Sequence, residues 1–290
     1  MSAPAYPLAI IGAGALGLHF AARLATQGPV ALLARSDAAA ARLRAGIQVG
    51  SILYRPDAFG PEAVIRAEWV IVLVKAGDTA AAARRSRSLA PQGVVSLQNG
   101  LTEPLLRASC GDLPAGQGIT TEGAWRDANG IHPSGAGETL LPPGFEAVAE
   151  ALEAAGFQAR VEPEIAAARL AKLLVNVAIN PLAALFRVPN GALLEEHYRR
   201  LLDALVAEAW PVLRAAGLAL DEADALARVY EVARATGANR ASMLQDVEAG
   251  RPTEIDAITG ALLALAKAQG LALPTHQALY TLIRQLAPHF

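Results

Sequence analysis

Near the start of the chain a short apolar run, Leu8-Ala-Ile-Ile11, leads into Gly12-Ala13-Gly14-Ala15-Leu16-Gly17, and a helical pattern follows from Leu18 to Gln27. Gly28-Pro29 stops that helix, and Val30-Ala-Leu-Leu-Ala34 is a second apolar run. Runs this short and uniformly apolar suit strands buried on both faces of a parallel sheet. Strand, glycine-rich turn, helix, strand is the arrangement that binds dinucleotides. Gly12 permits the tight turn, Gly14 lets the backbone approach a pyrophosphate, and Gly17 lets the helix pack close to the strand. The N–H groups left unbonded at the helix start then face the phosphates. A lone GxGxxG carries little specificity; one set between a strand and a helix carries much more.

The end of the second strand bears on which dinucleotide is bound. An acidic residue there suits the 2'-hydroxyl of NAD, but this chain has Arg35 followed by Ser36. A guanidinium and a hydroxyl suit a 2'-phosphate, so NADPH is the expected cofactor. The plainer alternative for Arg35 is a solvated charge at a strand end.

A helix is expected over Asp37 to Ala45, then short strands between Ile47 and Val64, broken by Pro56 and Pro61. Trp69-Val-Ile-Val-Leu-Val74 is the clearest parallel strand. It ends at Lys75, which strand-end logic places at the cofactor edge. Asp78-Thr79 is expected to start a helix with Asp78 as its cap. Val94 to Gln98 is the next strand, and Asn99-Gly100 offers a turn and a carboxamide at its carboxyl end. Between Gly116 and Pro143 the helical period is lost, and hairpin strands at the sheet edge are expected. A helix from Phe145 to Ala155 and a strand from Phe157 to Val161 close this half. Pro163 marks the expected boundary between an α/β domain, 1–163, with a mainly parallel sheet, and an all-α domain, 164–290.

In the second half, Lys172-Leu-Leu-Val-Asn176-Val-Ala-Ile-Asn180 is the informative stretch. Four residues advance a helix by roughly 400° and about 6 Å, so Lys172, Asn176 and Asn180 form one slowly drifting stripe. An ammonium and two carboxamides on an otherwise apolar helix need partners. Either the protein supplies them, as a polar core network, or a polar ligand does. Pro181 is expected to end or kink this helix. Pro189-Asn190-Gly191 is a turn. Helices are expected from Leu193 to Ala216, bent at Pro211, and from Asp221 to Thr236. Ser242 with Gln245 matches a capping box, and Thr253 with Glu254 reads as a further helix start. Helices to Ala268 and from Pro274 to Ala287 complete the chain.

A net charge of -2 gives no electrostatic footprint for nucleic acid. The lone Cys110 excludes an intrachain disulfide and reads as a loop thiol; a cytoplasmic setting is favoured. No charged region precedes the apolar start, and no 18-residue run reads as apolar enough to span a bilayer, Leu173 to Phe186 coming nearest. No metal-ligand spacing or nucleophile elbow is present. His19 reads as buried; His197, His276 and His289 read as surface residues.

Taken together these stretches resemble the ketopantoate reductase family. The resemblance rests on Gly12 to Gly17, Leu73-Val-Lys75, Leu97-Gln-Asn99-Gly100, Lys172 to Leu182, Pro189-Asn190-Gly191, Ser242 to Asp246 and Thr253-Glu254-Ile-Asp256. It implies a Rossmann domain followed by a helical domain, and NADPH-dependent reduction of 2-dehydropantoate to (R)-pantoate, a step towards pantothenate and coenzyme A. By position, Lys172 matches the family's catalytic lysine and Glu254 the active-site glutamate. Arg35 matches the arginine near the 2'-phosphate, and Asn99, Asn176, Asn180, Asn190, Asn239 and Ser242 match cofactor or substrate contacts. Asp78 departs from the glutamine many members carry there. The implied chemistry is hydride transfer to a 2-oxo carbon, with Lys172 supplying the proton. Two other readings stay open: a related reductase of another small 2-oxo acid, and an NADPH-binding regulatory protein without turnover. An apolar seam on the long C-terminal helices would support a homodimer.

Overall fold

The computed structural model describes residues 3–135 and 137–286. The chain forms two compact units: Met1–Gln98 with Thr102–Ile165, and Asn99–Leu101 with Ala166–Phe290.

Unit 1 begins with β1 (Ala5–Ile11), α1 (Ala15–Leu24), β2 (Val30–Leu33), α2 (Asp37–Ala45), β3 (Ile47–Val49), β4 (Ile52–Tyr54), β5 (Asp57–Phe59) and β6 (Arg66–Val72). It continues through α3 (Thr79–Arg87), β7 (Gly93–Ser96), α4 (Glu103–Cys110) and β8 (Ala115–Gln117). Six strands form one sheet in the order β5-β2-β1-β6-β7-β8, and every neighbouring pair is parallel. Chain order reverses between β1 and β6, the switch point at which open α/β sheets bind ligands. Alternate residues feed opposite faces. Leu8 and Ile10 join Leu18, Phe20, Val148 and Leu152 in one core. Ala9 and Ile11 join Val70, Val72, Ala83 and Leu106 in another. Both faces are therefore covered, which is why these strands read as continuous apolar runs.

The remaining elements of unit 1 are β9 (Ile119–Thr120), β10 (Ala124–Arg126), β11 (Ile131–Pro133), β12 (Glu138–Leu141), α5 (Glu146–Ala154) and β13 (Gln158–Val161). The expected hairpins do not extend the main sheet, which ends at β8. Instead β10 and β11 pair with β3 and β4 in a separate sheet packed on α1, and β9, β12 and β13 form a third. Strands of two to four residues carry too little pattern to declare a partner that lies far away in the chain. Asp78 is exposed and makes no cap: a 3-10 turn over Ala76–Asp78 precedes α3, and the Thr79 hydroxyl donates to the Ala76 carbonyl. Cys110 is not a loop thiol. It ends α4 inside the core, where burial pushes its pKa up.

Unit 2 is helical: α6 (Ile165–Phe186), a 3-10 turn (Asn190–Leu194), α7 (Glu196–Ala215), α8 (Glu222–Ala235), α9 (Ser242–Glu248), a π turn (Asp256–Gly260), α10 (Ala261–Ala268) and α11 (Pro274–Leu286). α6 continues through Pro181 rather than ending there. The ring removes one backbone donor, yet Leu182, Ala183 and Ala184 are fully buried in the unit's core, and that packing holds the next turn helical. By length and composition α6 is long enough and apolar enough to cross a membrane, contrary to the sequence reading; most of it is packed inside the unit. α7 likewise runs through Pro211. Asp221 caps α8 by accepting from the Asp224 N–H. Ser242 is not a cap, because α9 starts at Ser242 itself and Ala241 precedes it with no side-chain bond. Gln245 instead donates to the Arg240 carbonyl. Thr253 does not cap either; its hydroxyl is buried without a hydrogen bond among the described residues. His276 is buried rather than superficial, and its Nδ1 lies 3.1 Å from Glu208 Oε2. His289 and Ala287 lie outside the described residues.

Candidate active site

One candidate site lies within unit 1, at the carboxyl ends of β1 and β2. Gly12 has φ +124°, and a Cβ there would stand 2.6 Å from the Leu73 backbone, so the turn passes too close to the chain leaving β6 for any side chain. A Cβ on Gly17 would stand 1.9 Å from the Gly12 carbonyl oxygen. Over Gly14, by contrast, nothing lies within 4 Å of the added atom. Gly14 caps α1 with no side-chain bond, so the N–H groups of Ala15 and Leu16 head a helix whose start is open to an anion. Ala13 completes this turn, part-buried. The two close approaches and the open space above Gly14 are what a dinucleotide pyrophosphate needs, and the residues present fit one.

Arg35 stands just past β2. It is exposed and makes no hydrogen bond or ion pair among the described residues. Ser36 spends its hydroxyl accepting from the Ala39 N–H, which caps α2. Asp37 turns towards Gly60, whose added Cβ would meet its carboxylate at 1.8 Å. That leaves Arg35 as an exposed cation at the end of β2. Lys75 follows β6, exposed, at the head of the 3-10 turn.

A second candidate site lies within unit 2. Lys172, Asn176 and Asn180 are all part-buried on one stripe of α6, flanked by buried Leu173, Val177 and Leu182. Burial pushes the Lys172 ammonium down to about 8, with the charge of Glu254 acting in the opposite direction. Glu254 precedes the π turn and accepts a hydrogen bond from Asn99 Nδ2 at 3.1 Å. Asn99 is thus bonded to Glu254, and the charge of Glu254 acts on Lys172. Asn176 and Asn180 make no side-chain hydrogen bond among the described residues, so their carboxamides are left for a ligand or water.

The other three expected contacts are arranged differently. Asn190 is buried; its Nδ2 donates to Thr236 Oγ1 at 2.9 Å and its N–H donates to the Asn239 carbonyl at 3.0 Å. Its Oδ1 has no hydrogen-bond partner among the described residues. Asn190 therefore braces the 3-10 turn against the end of α8. Asn239 and Ser242 are exposed, three residues apart, at the entrance to α9. Sequence reasoning did not foresee the Asn99–Glu254 bond or the π turn that follows it. π turns interrupt helices at functional positions more often than elsewhere, but nothing in Ile255 to Gly260 announces one.

Chemically, an ammonium poised near neutrality can give a proton to an oxygen on which negative charge develops. The open helix start in unit 1 can hold a dinucleotide. A doubly wound sheet with this turn defines a dinucleotide-binding protein of the Rossmann type.

Family models bear this out across both units. One described as "Ketopantoate reductase PanE/ApbA" matches residues 8–144, and "Ketopantoate reductase PanE/ApbA C terminal" matches residues 164–287. The chain belongs to the ketopantoate reductase family. It is 36% identical over 222 residues, 74% of this chain and 76% of the relative, to the 2-dehydropantoate 2-reductase of Pyrobaculum aerophilum. It is 33% identical over 287 residues, 95% of this chain and 96% of the relative, to that of Archaeoglobus fulgidus. Among solved structures, a 2-dehydropantoate 2-reductase from Geobacter metallireducens matches with a TM-score of 0.86 at 30% identity, covering 96% of this chain and 99% of that one. D-mandelate dehydrogenase with NADH and anilino(oxo)acetate matches with a TM-score of 0.89 at 23% identity, covering 96% and 97%. At that identity it speaks to the fold alone.

Proposed function

We propose that this enzyme reduces 2-dehydropantoate to (R)-pantoate with NADPH, in the route to pantothenate and coenzyme A. The observation that carries the reading is the Lys172–Glu254–Asn99 group: an ammonium brought to about 8 by burial, with a carboxylate to oppose further loss of its proton. A nucleotide sensor would need the glycine turn but no such acid. The relatives named 2-dehydropantoate 2-reductase support the choice of substrate.

In this reading unit 1 is the cofactor domain and unit 2 the substrate domain. Gly12, Ala13, Gly14, Ala15, Leu16 and Gly17 receive the pyrophosphate on backbone N–H groups. Arg35 pairs with the 2'-phosphate, which favours NADPH over NADH, and Lys75 adds positive charge at the same strand-end edge. Bound NADPH supplies a hydride. Lys172 stabilises the charge that grows on the substrate's carbonyl oxygen and gives it a proton. Glu254 orients the ammonium, and Asn99 holds Glu254 while contributing to the cofactor and substrate contacts. Asn176 and Asn180 hydrogen-bond the ketone and hydroxyl. Asn239 and Ser242, with Asn190 bracing them, receive the carboxylate. A cytoplasmic setting accords with the single buried thiol, and a homodimer accords with the exposed Leu271, Leu282 and Leu286 near the end of unit 2.

A panel of 2-oxo acids, each run with NADPH and NADH while absorbance at 340 nm is followed, tests the reading. The highest kcat/KM is expected for 2-dehydropantoate with NADPH. A higher value for another 2-oxo acid would move the assignment to a related reductase, and no turnover with any would leave a binding protein.

A further inference from the structure

Asn99, Gly100 and Leu101 leave unit 1 and return to it within three residues. Asn99 carries the bond to Glu254, so what fixes this small arch fixes that bond. Both of its feet are held by one side chain. Gln117, 1% exposed at the end of β8, donates from Nε2 to the Gln98 carbonyl at 3.0 Å, just before the arch. Its Oε1 accepts from the N–H groups of Thr102 and Glu103, each at 3.0 Å, just after it.

The first foot is pinned a second time. The Gln98 side chain is buried, accepts from the Ser96 hydroxyl at 2.8 Å with the Thr79 hydroxyl oxygen 3.1 Å away, and donates to the Val74 carbonyl at 2.9 Å. At the tip, Gly100 has φ +78°, and a Cβ there would lie 2.1 Å from the carbonyl oxygen of Ala257 in the π turn. Leu101 packs into the helical core of unit 2.

We propose that Gln117 is a positioning residue: by clasping both feet of the 99–101 arch it holds Asn99 on Glu254, and so keeps Glu254 aligned with Lys172. The task requires a carboxamide. It needs one donor for the Gln98 carbonyl and one oxygen able to take two N–H groups. A glutamate there could not donate, and a leucine would leave three buried backbone groups unpaired, each at a cost. The glycine at position 100 is the second half of the device, since a side chain would lift the tip from its seat. The clasp stands on geometry alone; its consequence for turnover rests on the reductase reading above.

The test measures Lys172 directly, in the nucleotide-free full-length protein. Its pKa is read from the pH dependence of its modification by a small acylating reagent, followed by mass spectrometry of its peptide. Wild type, Gln117→Leu and Gly100→Ala are compared, with circular dichroism to confirm folding. Because the Glu254 charge favours the ammonium, loosening the arch is expected to lower the Lys172 pKa by about 1 unit, and to reduce kcat/KM by up to about 100-fold. A purely structural role for Gln117 would lower the melting temperature and leave the Lys172 pKa where it is. An unchanged pKa in either variant, once shown to be folded, overturns the proposal. Should Gln117→Leu fail to fold, Gly100→Ala decides alone. Wild-type protein that reduces no 2-oxo acid, yet shows the expected pKa shifts, would overturn the reductase reading and leave the clasp standing.

Discussion

At the scale of single residues, the proposed chemistry turns on the ionisation of Lys172. Its ordinary value is 10.5, and burial brings it to about 8, against the pull of Glu254. In the proposed mechanism the protonated form is the acid, so kcat/KM for 2-oxo acid reduction is expected to be level below pH about 8 and to fall tenfold per unit above it. Lys172→Arg should remove that fall from the accessible range, since a guanidinium stays protonated there. Lys172→Ala should bind NADPH with an unchanged Kd while losing about 100-fold or more in kcat. Titration of nucleotide fluorescence and steady-state rates across pH 6 to 10 check both. A pH profile of wild type without a break near 8 would remove Lys172 from the role of acid.

Lys172, Asn176 and Asn180 were legible in sequence because a helix repeats locally: the spacing alone puts them on one stripe. What the stripe faces was not legible. Asn99 and Glu254 are separated by 155 positions, and no local pattern joins them.

At the scale of elements, helix starts show how local chemistry yields to tertiary partners. α2 and α8 are capped from within their own segments, by Ser36, whose hydroxyl the sequence reading gives to a 2'-phosphate, and by Asp221. α11 has none of its own kind. Its start is held by Glu208 from α7, whose Oε1 accepts from the N–H and hydroxyl of Thr275 and whose Oε2 accepts from the His276 N–H, with His276 Nδ1 at 3.1 Å. That distant carboxylate is why His276 is buried although its own neighbourhood reads as a surface helix start. Burial acts against the charged carboxyl, but the bonds from Thr275 and His276 outweigh it and hold Glu208 below its ordinary 4.5. Burial also lowers His276 below its ordinary 6.5, with Glu208 acting the other way.

The signs agree in direction. For His276 the unfolded chain takes up a proton near 6.5 where the folded one does not, so stability falls as pH drops through that value. For Glu208 the stabilisation is present above 4.5 and is lost as pH falls below it. Urea unfolding at pH 7.5, 5.5 and 4.0 should therefore show stepwise loss. Glu208→Gln should cost about 2 kcal/mol at pH 7.5 and remove the lower step. Equal loss between pH 5.5 and 4.0 in wild type and variant would separate Glu208 from the acid sensitivity.

At the scale of the whole molecule, a ligand that binds only the folded chain raises its stability in proportion to its occupancy. NADPH at 100 times its Kd is expected to add about 2.7 kcal/mol. Arg35→Ala should sharply reduce the thermal shift given by a fixed concentration of NADPH and leave the NADH shift unaltered, because the two differ only at the 2'-phosphate. An equal reduction with both dinucleotides would show that Arg35 acts on something other than that group.

By itself the sequence determined what depends on near neighbours along the chain. The glycines of the first turn, the uniformly apolar strands and the α6 stripe all follow from periods of two and 3.6 residues and from the lack of a Cβ. The structure adds the reasons: Gly12 and Gly17 have no room for a side chain, while Gly14 lies under open space. Tertiary structure alone decided which distant groups meet. It kept α6 helical through Pro181, because the residues beyond the proline are fully buried. It sent the strands after β8 into two further sheets. It also brought Asn99 to Glu254 and set Gln117 under both feet of the arch that carries Asn99. Packing selects such pairings by satisfying buried polar groups, and a linear pattern holds no record of them.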